Sequence, residues 1–130
     1  MKLITRNTDY ALRALCYISK NKNIVTVDEL VGRLDVPRPF MRKILQQLNK
    51  KRILVSFKGQ GGGFKLKAHP KEIYIVEIMR VFQGEVGINE CFLKKNICPN
   101  KGKCVLRKKI RLIEEYVLKQ LEKITIASLI

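Results

Sequence analysis

Apolar positions in the first fifty residues recur with helical spacing, and the polar breaks between them mark three helices in quick succession. Over Thr5 to Lys20, the residues Ala11, Leu12, Ala14, Leu15 and Ile18 fall on one helical face. An Asn/Lys-rich turn follows. Thr26-Val27-Asp28-Glu29 is then a capping box, Thr26 at the N-cap and Glu29 at N3, opening a short helix through Leu34. Asp35-Val36-Pro37 predicts a turn, and Pro37 and Pro39 suit the first turn of the next helix, where a missing N–H costs nothing. In that helix Met41, Ile44, Leu45 and Leu48 form the buried face, leaving Pro39, Lys43, Gln46 and Lys50 opposite and Arg42 beside them. Two short helices joined by a tight turn, the second basic on its outer face, make a helix-turn-helix.

The next segment changes character. Ile53 to Phe57 and Phe64-Lys65-Leu66 are rich in β-formers, and Lys58-Gly59-Gln60-Gly61-Gly62-Gly63 joins them. A glycine-rich hairpin tip reaches positive φ without strain and lets the backbone approach a phosphate. A nucleotide-cradling loop would need a helix straight after the glycines and, in the Walker form, a Lys-Ser/Thr pair, and neither is present. The hairpin therefore reads as a wing, gripping DNA backbone with Lys58 at its base; an ordinary hairpin is the bland alternative.

Ile75 to Phe82 reads as a helix closed by Gly84, and a long helix follows from Val105 to Lys123. There Leu106, Ile110, Ile113, Val117, Leu121 and Ile124 form an apolar stripe too long for a small domain to cover. Packing against the same helix of a second copy would bury it; the alternative is packing onto the chain's own first helix. Thr125 is placed to cap a final short helix, Ile126 to Ile130. The expected fold is mainly α with a small β-hairpin wing: a winged helix-turn-helix over residues 1–84, a cysteine loop over 85–104, and a dimerisation helix with a short C-terminal helix over 105–130.

Charge sharpens the functional reading. With 130 residues and 46% apolar content the chain can build one modest domain, and its 27 Lys and Arg against 11 Asp and Glu give a net charge of +16. That imbalance points to a polyanionic partner, double-stranded DNA given the helix-turn-helix. A membrane surface is the rival polyanion, but no basic amphipathic helix with exposed aromatics stands out. No apolar run approaches a membrane span, and MKLITRNTDY lacks the apolar stretch of a signal peptide, so a cytoplasmic protein is expected. No general acid/base constellation suggests an enzyme.

Three cysteines stand close together in Cys91-FLKKNI-Cys98-PNKGK-Cys104. Asn96, Pro99, Asn100 and Gly102 make the intervening stretch an irregular loop, able to fold several sulfurs around one inorganic centre. Soft thiolates favour zinc, copper(I) or iron–sulfur clusters. The spacing matches neither the paired C-x2-C of a structural zinc site nor the ferredoxin run, and three cysteines leave a four-ligand site one short. A disulfide would strand an odd thiol. Lys94, Lys95, Lys101 and Lys103 surround the cysteines and would offset cluster charge. Cys16, among Leu12, Leu15 and Ile18, reads as a small core residue.

The order of these motifs resembles the winged-helix transcription regulators that include IscR and NsrR. The likeness rests on Thr8-Asp9-Tyr10-Ala11-Leu12-Arg13-Ala14-Leu15, on Val36 to Leu48 as recognition helix, on Lys58 to Phe64 as wing, and on the three-cysteine loop before the long helix. It implies a homodimeric regulator, a repressor, binding operator DNA under the control of an iron–sulfur cluster that senses nitric oxide, redox or iron–sulfur status. It further implies a four-iron cluster rather than a two-iron one, held by Cys91, Cys98 and Cys104, with Asp9 supplied across the dimer as fourth ligand. Two departures stand out. The first cysteine gap is a residue longer than usual in the family, and Arg107 occupies the position where IscR-type sites carry a ligating histidine. The lone histidine, His69, reads as a surface residue, and Asp9 is otherwise a carboxylate favoured in a helix's first turn. DNA contacts are expected from Arg38, Pro39, Arg42, Lys43, Gln46 and Lys50, and from Lys58, Gly59, Gln60 and Gly61 in the wing. Two other classes stay open: a cluster-free regulator of the same fold using its cysteines as redox thiols or a zinc site, and a small iron–sulfur electron carrier.

Overall fold

A computed structural model describes residues 2–87 and 104–130. The order is α1 (Arg6–Lys20), α2 (Val27–Leu34), α3 (Arg38–Lys50), β1 (Leu54–Phe57), β2 (Gly63–Leu66), a 3-10 turn at Pro70–Glu72, α4 (Ile75–Gln83), α5 (Val105–Leu121) and a 3-10 turn at Ala127–Leu129. The first two helices start where local chemistry directs them. Thr5 caps α1 by accepting the Thr8 N–H, and Thr26 caps α2 by accepting the Glu29 N–H at 3.1 Å. The Glu29 carboxylate does not complete a reciprocal capping box. It accepts the Tyr17 hydroxyl at 2.5 Å, tying α2 to α1, and this hydrogen bond pushes the Tyr17 phenol pKa upward.

The predicted apolar faces meet in one core: Ala11, Ala14, Leu15 and Ile18 of α1, Leu30 of α2, and Met41, Ile44, Leu45 and Leu48 of α3 are all buried. Full burial of a Leu-sized side chain contributes about 1.5–3 kcal/mol, so this shared face fixes the angle at which α3 leaves the body. Strands β1 and β2 pair antiparallel, Leu54 opposite Leu66 and Phe57 opposite Gly63. A third, one-residue strand joins them at Val25, whose N–H and C=O both bond Phe64, at 3.0 and 2.8 Å. No periodicity signals Val25, but Gly63 carries a trace of it: a Cβ there would lie 2.4 Å from the Val25 oxygen.

The C-terminal tail is stitched across the domain. Ile75 N–H bonds Ile124 oxygen at 3.0 Å, Ile126 N–H bonds Ile73 oxygen at 2.8 Å, and the Ile126 side chain is buried in the main core. Where a short helix is expected over Ile126 to Ile130, the chain forms only the 3-10 turn, which has no side-chain cap; the Thr125 hydroxyl just before it accepts the Ser128 N–H at 3.3 Å.

α3 ends in a Schellman motif: Ile53 N–H bonds Leu48 oxygen and Arg52 N–H bonds Asn49 oxygen, with Arg52 at φ 62. A non-glycine residue in this left-handed region is disfavoured by roughly 1–2 kcal/mol, part of which glycine gives back through its larger unfolded-state entropy. Arg52→Gly is therefore expected to raise stability by about 0.5–1 kcal/mol, read as a higher denaturant midpoint at unchanged slope.

Candidate DNA-binding face and cysteine site

The buried register of α3 turns its other side outward. Arg38, Pro39, Arg42, Lys43, Gln46 and Lys50 are all exposed, as the alternation with Met41, Ile44, Leu45 and Leu48 requires. One helix therefore presents four cations and an amide along a solvent-facing stripe, a geometry suited to a DNA major groove. Phe40, absent from the expected contact set, is 46% exposed beside them and offers an apolar surface of the kind that contacts a thymine methyl. Arg38 is ion-paired to Asp28 in the first turn of α2.

At the wing, Lys58, Gly59, Gln60 and Gly61 are exposed. Gly59 and Gly61 sit at φ +88 and +78, and a Cβ on Gly62 would lie 2.2 Å from the Phe57 oxygen. The tip is thus held tightly by backbone, and a strand rather than a helix follows it, unlike a nucleotide-cradling loop.

On the cysteine side, Cys104 is the N-cap of α5. Its sulfur accepts the Arg107 N–H at 3.4 Å, and Arg107, Lys108 and Arg111 line the small cavity beside it. That setting of helix N-terminus and three cations suits an anionic ligand. Cys91 and Cys98, and the lysines around them, lie outside the described residues. Among the described residues no three His, Cys, Asp or Glu side chains come together. Asp9 is half-buried on α1 and ion-paired to Arg13 at 3.0 Å. Cys16 is half-buried, and burial pushes its thiol pKa up, partly countered by Lys20. His69 is exposed, its Nδ1 accepting the Lys71 N–H at 3.1 Å.

Gln83 ties the end of α4 to the start of α1. At the last turn of α4 its Oε1 accepts the Thr8 hydroxyl at 2.7 Å and the Thr5 N–H at 3.1 Å, while its Nε2 donates to the Leu3 oxygen at 2.9 Å. The buried Thr8, adjacent to Asp9, is thereby satisfied, and the start of α1 is fastened to the point from which the cysteine segment departs. Among the described residues, it is the C-terminal end of α5 that packs on the body: Val117, Leu118 and buried Leu121 join Ile75, Val76 and Met79 of α4, with Ile4 and Leu12. Farther up, Leu106, Leu112, Ile113 and Tyr116 are 67%, 66%, 52% and 65% exposed. The outward apolar face is thus wider than the expected stripe, taking in Leu112 and Tyr116, and among the described residues the chain's own first helix meets only its lower end.

No described helix is long and apolar enough to cross a membrane. Over residues 4–130 the sequence matches the family Rrf2, described as Iron-dependent Transcriptional regulator. An HTH-type transcriptional regulator of Aquifex aeolicus is 36% identical over 90 residues, covering 68% of this chain and 62% of that protein. The HTH-type transcriptional regulator NsrR of Oceanobacillus iheyensis is 28% identical over 131 residues, covering 92% and 89%. In fold, the chain is similar to CymR, the global cysteine regulator of B. subtilis, with a TM-score of 0.82 at 19% identity, covering 99% of this chain and 96% of that one. The exposed basic helix, the glycine-tipped wing and these likenesses converge on one conclusion: the chain is a DNA-binding transcriptional regulator and belongs to the Rrf2 family.

Proposed function

We propose that this regulator binds its operator as a homodimer and that an iron–sulfur cluster held by Cys91, Cys98 and Cys104, with Asp9 supplied across the dimer, controls that binding as a repressor's sensor. The observation that carries the reading is the setting of Cys104: a sulfur at the head of α5, flanked by three cations, at one end of an apolar helix face that the other described residues leave exposed. Thiolates suit iron in soft-donor sites, and the surrounding cations offset a cluster's negative charge. When bound, such a cluster supplies a centre reactive toward oxidants and nitric oxide.

The chain's own residues provide the coupling. Gln83 links the base of the cysteine segment to Thr5 and Thr8, one residue from Asp9, and α1 packs directly on α3 and β2. A shift at the segment is therefore passed to the helix that seats the recognition helix. In a dimer this changes the spacing of the two α3 helices, which must match about 34 Å, one turn of duplex.

The DNA contacts are tested by a salt titration. If the dimer neutralises about eight phosphates, log K falls with log salt at a slope near −7. Lys58→Ala should weaken all duplexes alike and make the slope shallower by about 0.9 for each phosphate that is no longer neutralised. Arg42→Ala and Lys43→Ala should also relax sequence preference. Equal weakening on operator and random DNA for all three variants would remove the recognition role of α3.

A further inference from the structure

We infer that Asp28 is a specificity-determining positioning residue, a built-in competitor that holds Arg38 away from phosphates unless base contacts along α3 compensate. The inference rests on the DNA-binding reading of α3 and extends it. In a chain of net charge +16, an acid placed on the basic face is unexpected. Asp28 stands there: it sits in the first turn of α2, is 75% exposed, and pairs with the 45%-exposed guanidinium of Arg38, the first residue of α3.

Geometry makes this pair functional rather than merely structural. In a helix-turn-helix the first helix crosses the DNA backbone, and the N-terminal residues of the second reach base edges. The start of α2, capped by Thr26, would ordinarily welcome a phosphate. Asp28 instead puts a carboxylate there, which repels phosphate and occupies the one α3 cation that lies at the helix entrance. Arg42, Lys43 and Lys50 are exposed on the same stripe without any ion pair among those found between described residues. On random DNA, where Arg38 gains only a phosphate, the carboxylate competes well. On a matching site, a guanidinium that reaches a guanine edge gains a bidentate contact that a single exposed ion pair cannot equal. The pair thus weakens nonspecific binding more than specific binding.

The test uses the full-length protein, a random-sequence duplex of about 30 base pairs and a duplex of the same length that the protein selects from a random library, with salt titrations of wild type, Asp28→Asn, Arg38→Ala and the double variant. Because exposed ion pairs are weak, Asp28→Asn is expected to tighten random-duplex binding by about fivefold per subunit and selected-duplex binding by less; an equal gain on both duplexes would overturn the specificity role. Freeing Arg38 for a phosphate should also steepen the salt slope by about 0.9 per subunit. In the Arg38→Ala background, Asp28→Asn should leave the slope unchanged and lose most of the gain. Asparagine keeps the side-chain shape, and thermal unfolding of each variant confirms the fold. An equal gain with and without Arg38 would reduce Asp28 to a general repulsive charge and overturn the inference, as would no gain at all. Wild-type protein that binds no duplex in low salt would instead reject the DNA-binding reading on which the inference stands.

Discussion

Cys91→Ala, Cys98→Ala or Cys104→Ala should each abolish the visible charge-transfer absorption of protein reconstituted anaerobically with iron and sulfide. The site already lacks a fourth cysteine, so each change would leave only two sulfurs, and His69, the lone histidine, lies exposed in a turn with its Nδ1 engaged by a backbone N–H. Cys16→Ala should leave the absorption intact, because that thiol sits half-buried on α1 and burial disfavours its thiolate. Asp9→Ala should be intermediate. An oxygen ligand is weakly held by iron, and the Asp9 carboxylate must first leave Arg13, so the variant should assemble a cluster with altered stability or reactivity toward nitric oxide and oxygen. Retained absorption in Cys91→Ala would reject the three-cysteine site. Colourless wild-type protein carrying one zinc per chain would favour the cluster-free regulator of the same fold.

The second large effect is on assembly. Ile113 lies midway along the uncovered face of α5, with Leu106, Leu112 and Tyr116 around it. Contiguous exposed apolar surface of this kind marks an interaction site, and a two-fold interface would bury the same residue twice. An unpaired buried charge costs about 3–5 kcal/mol, so Ile113→Glu should convert a dimer to monomer in sedimentation at micromolar concentration. Because Leu121 and Val117 still anchor the lower end of α5, the monomer should keep its helical content. A tight dimer in this variant would move the interface elsewhere.

The parts of this molecule that read directly from sequence are those set within a few residues. The Thr26 cap, the register of Met41, Ile44, Leu45 and Leu48, and the glycines of the wing depend on local spacing alone, so α3 and its outward cations followed from them. Features that depend on long-range meetings did not. Val25 becomes a strand only because Phe64 folds back beside it. Glu29, predicted to bond its own helix start, is drawn instead to Tyr17 twelve positions earlier. Gln83 gives no sign in sequence of clasping Leu3, Thr5 and Thr8, since nothing in its own segment differs from an ordinary polar residue at a helix end. The Arg38–Asp28 pair likewise joins two helices across their turn, and each residue alone looks like solvated surface. The stripe on α5 was visible as a period, but its true width was not, because Leu112 and Tyr116 join the outward apolar face only once the rest of the described chain is seen to leave them exposed.

Control of operator affinity by a cluster on the cysteine segment can be measured by selecting a duplex from a random library with the reconstituted protein, then determining its anaerobic affinity before and after the iron is removed by a chelator. Coupling between two sites typically spans about 5–150-fold, so the expected result is a change of at least about fivefold on the selected duplex with little change on random DNA, and no response to iron removal in Cys104→Ala. Identical affinity for the selected duplex with and without iron would contradict it.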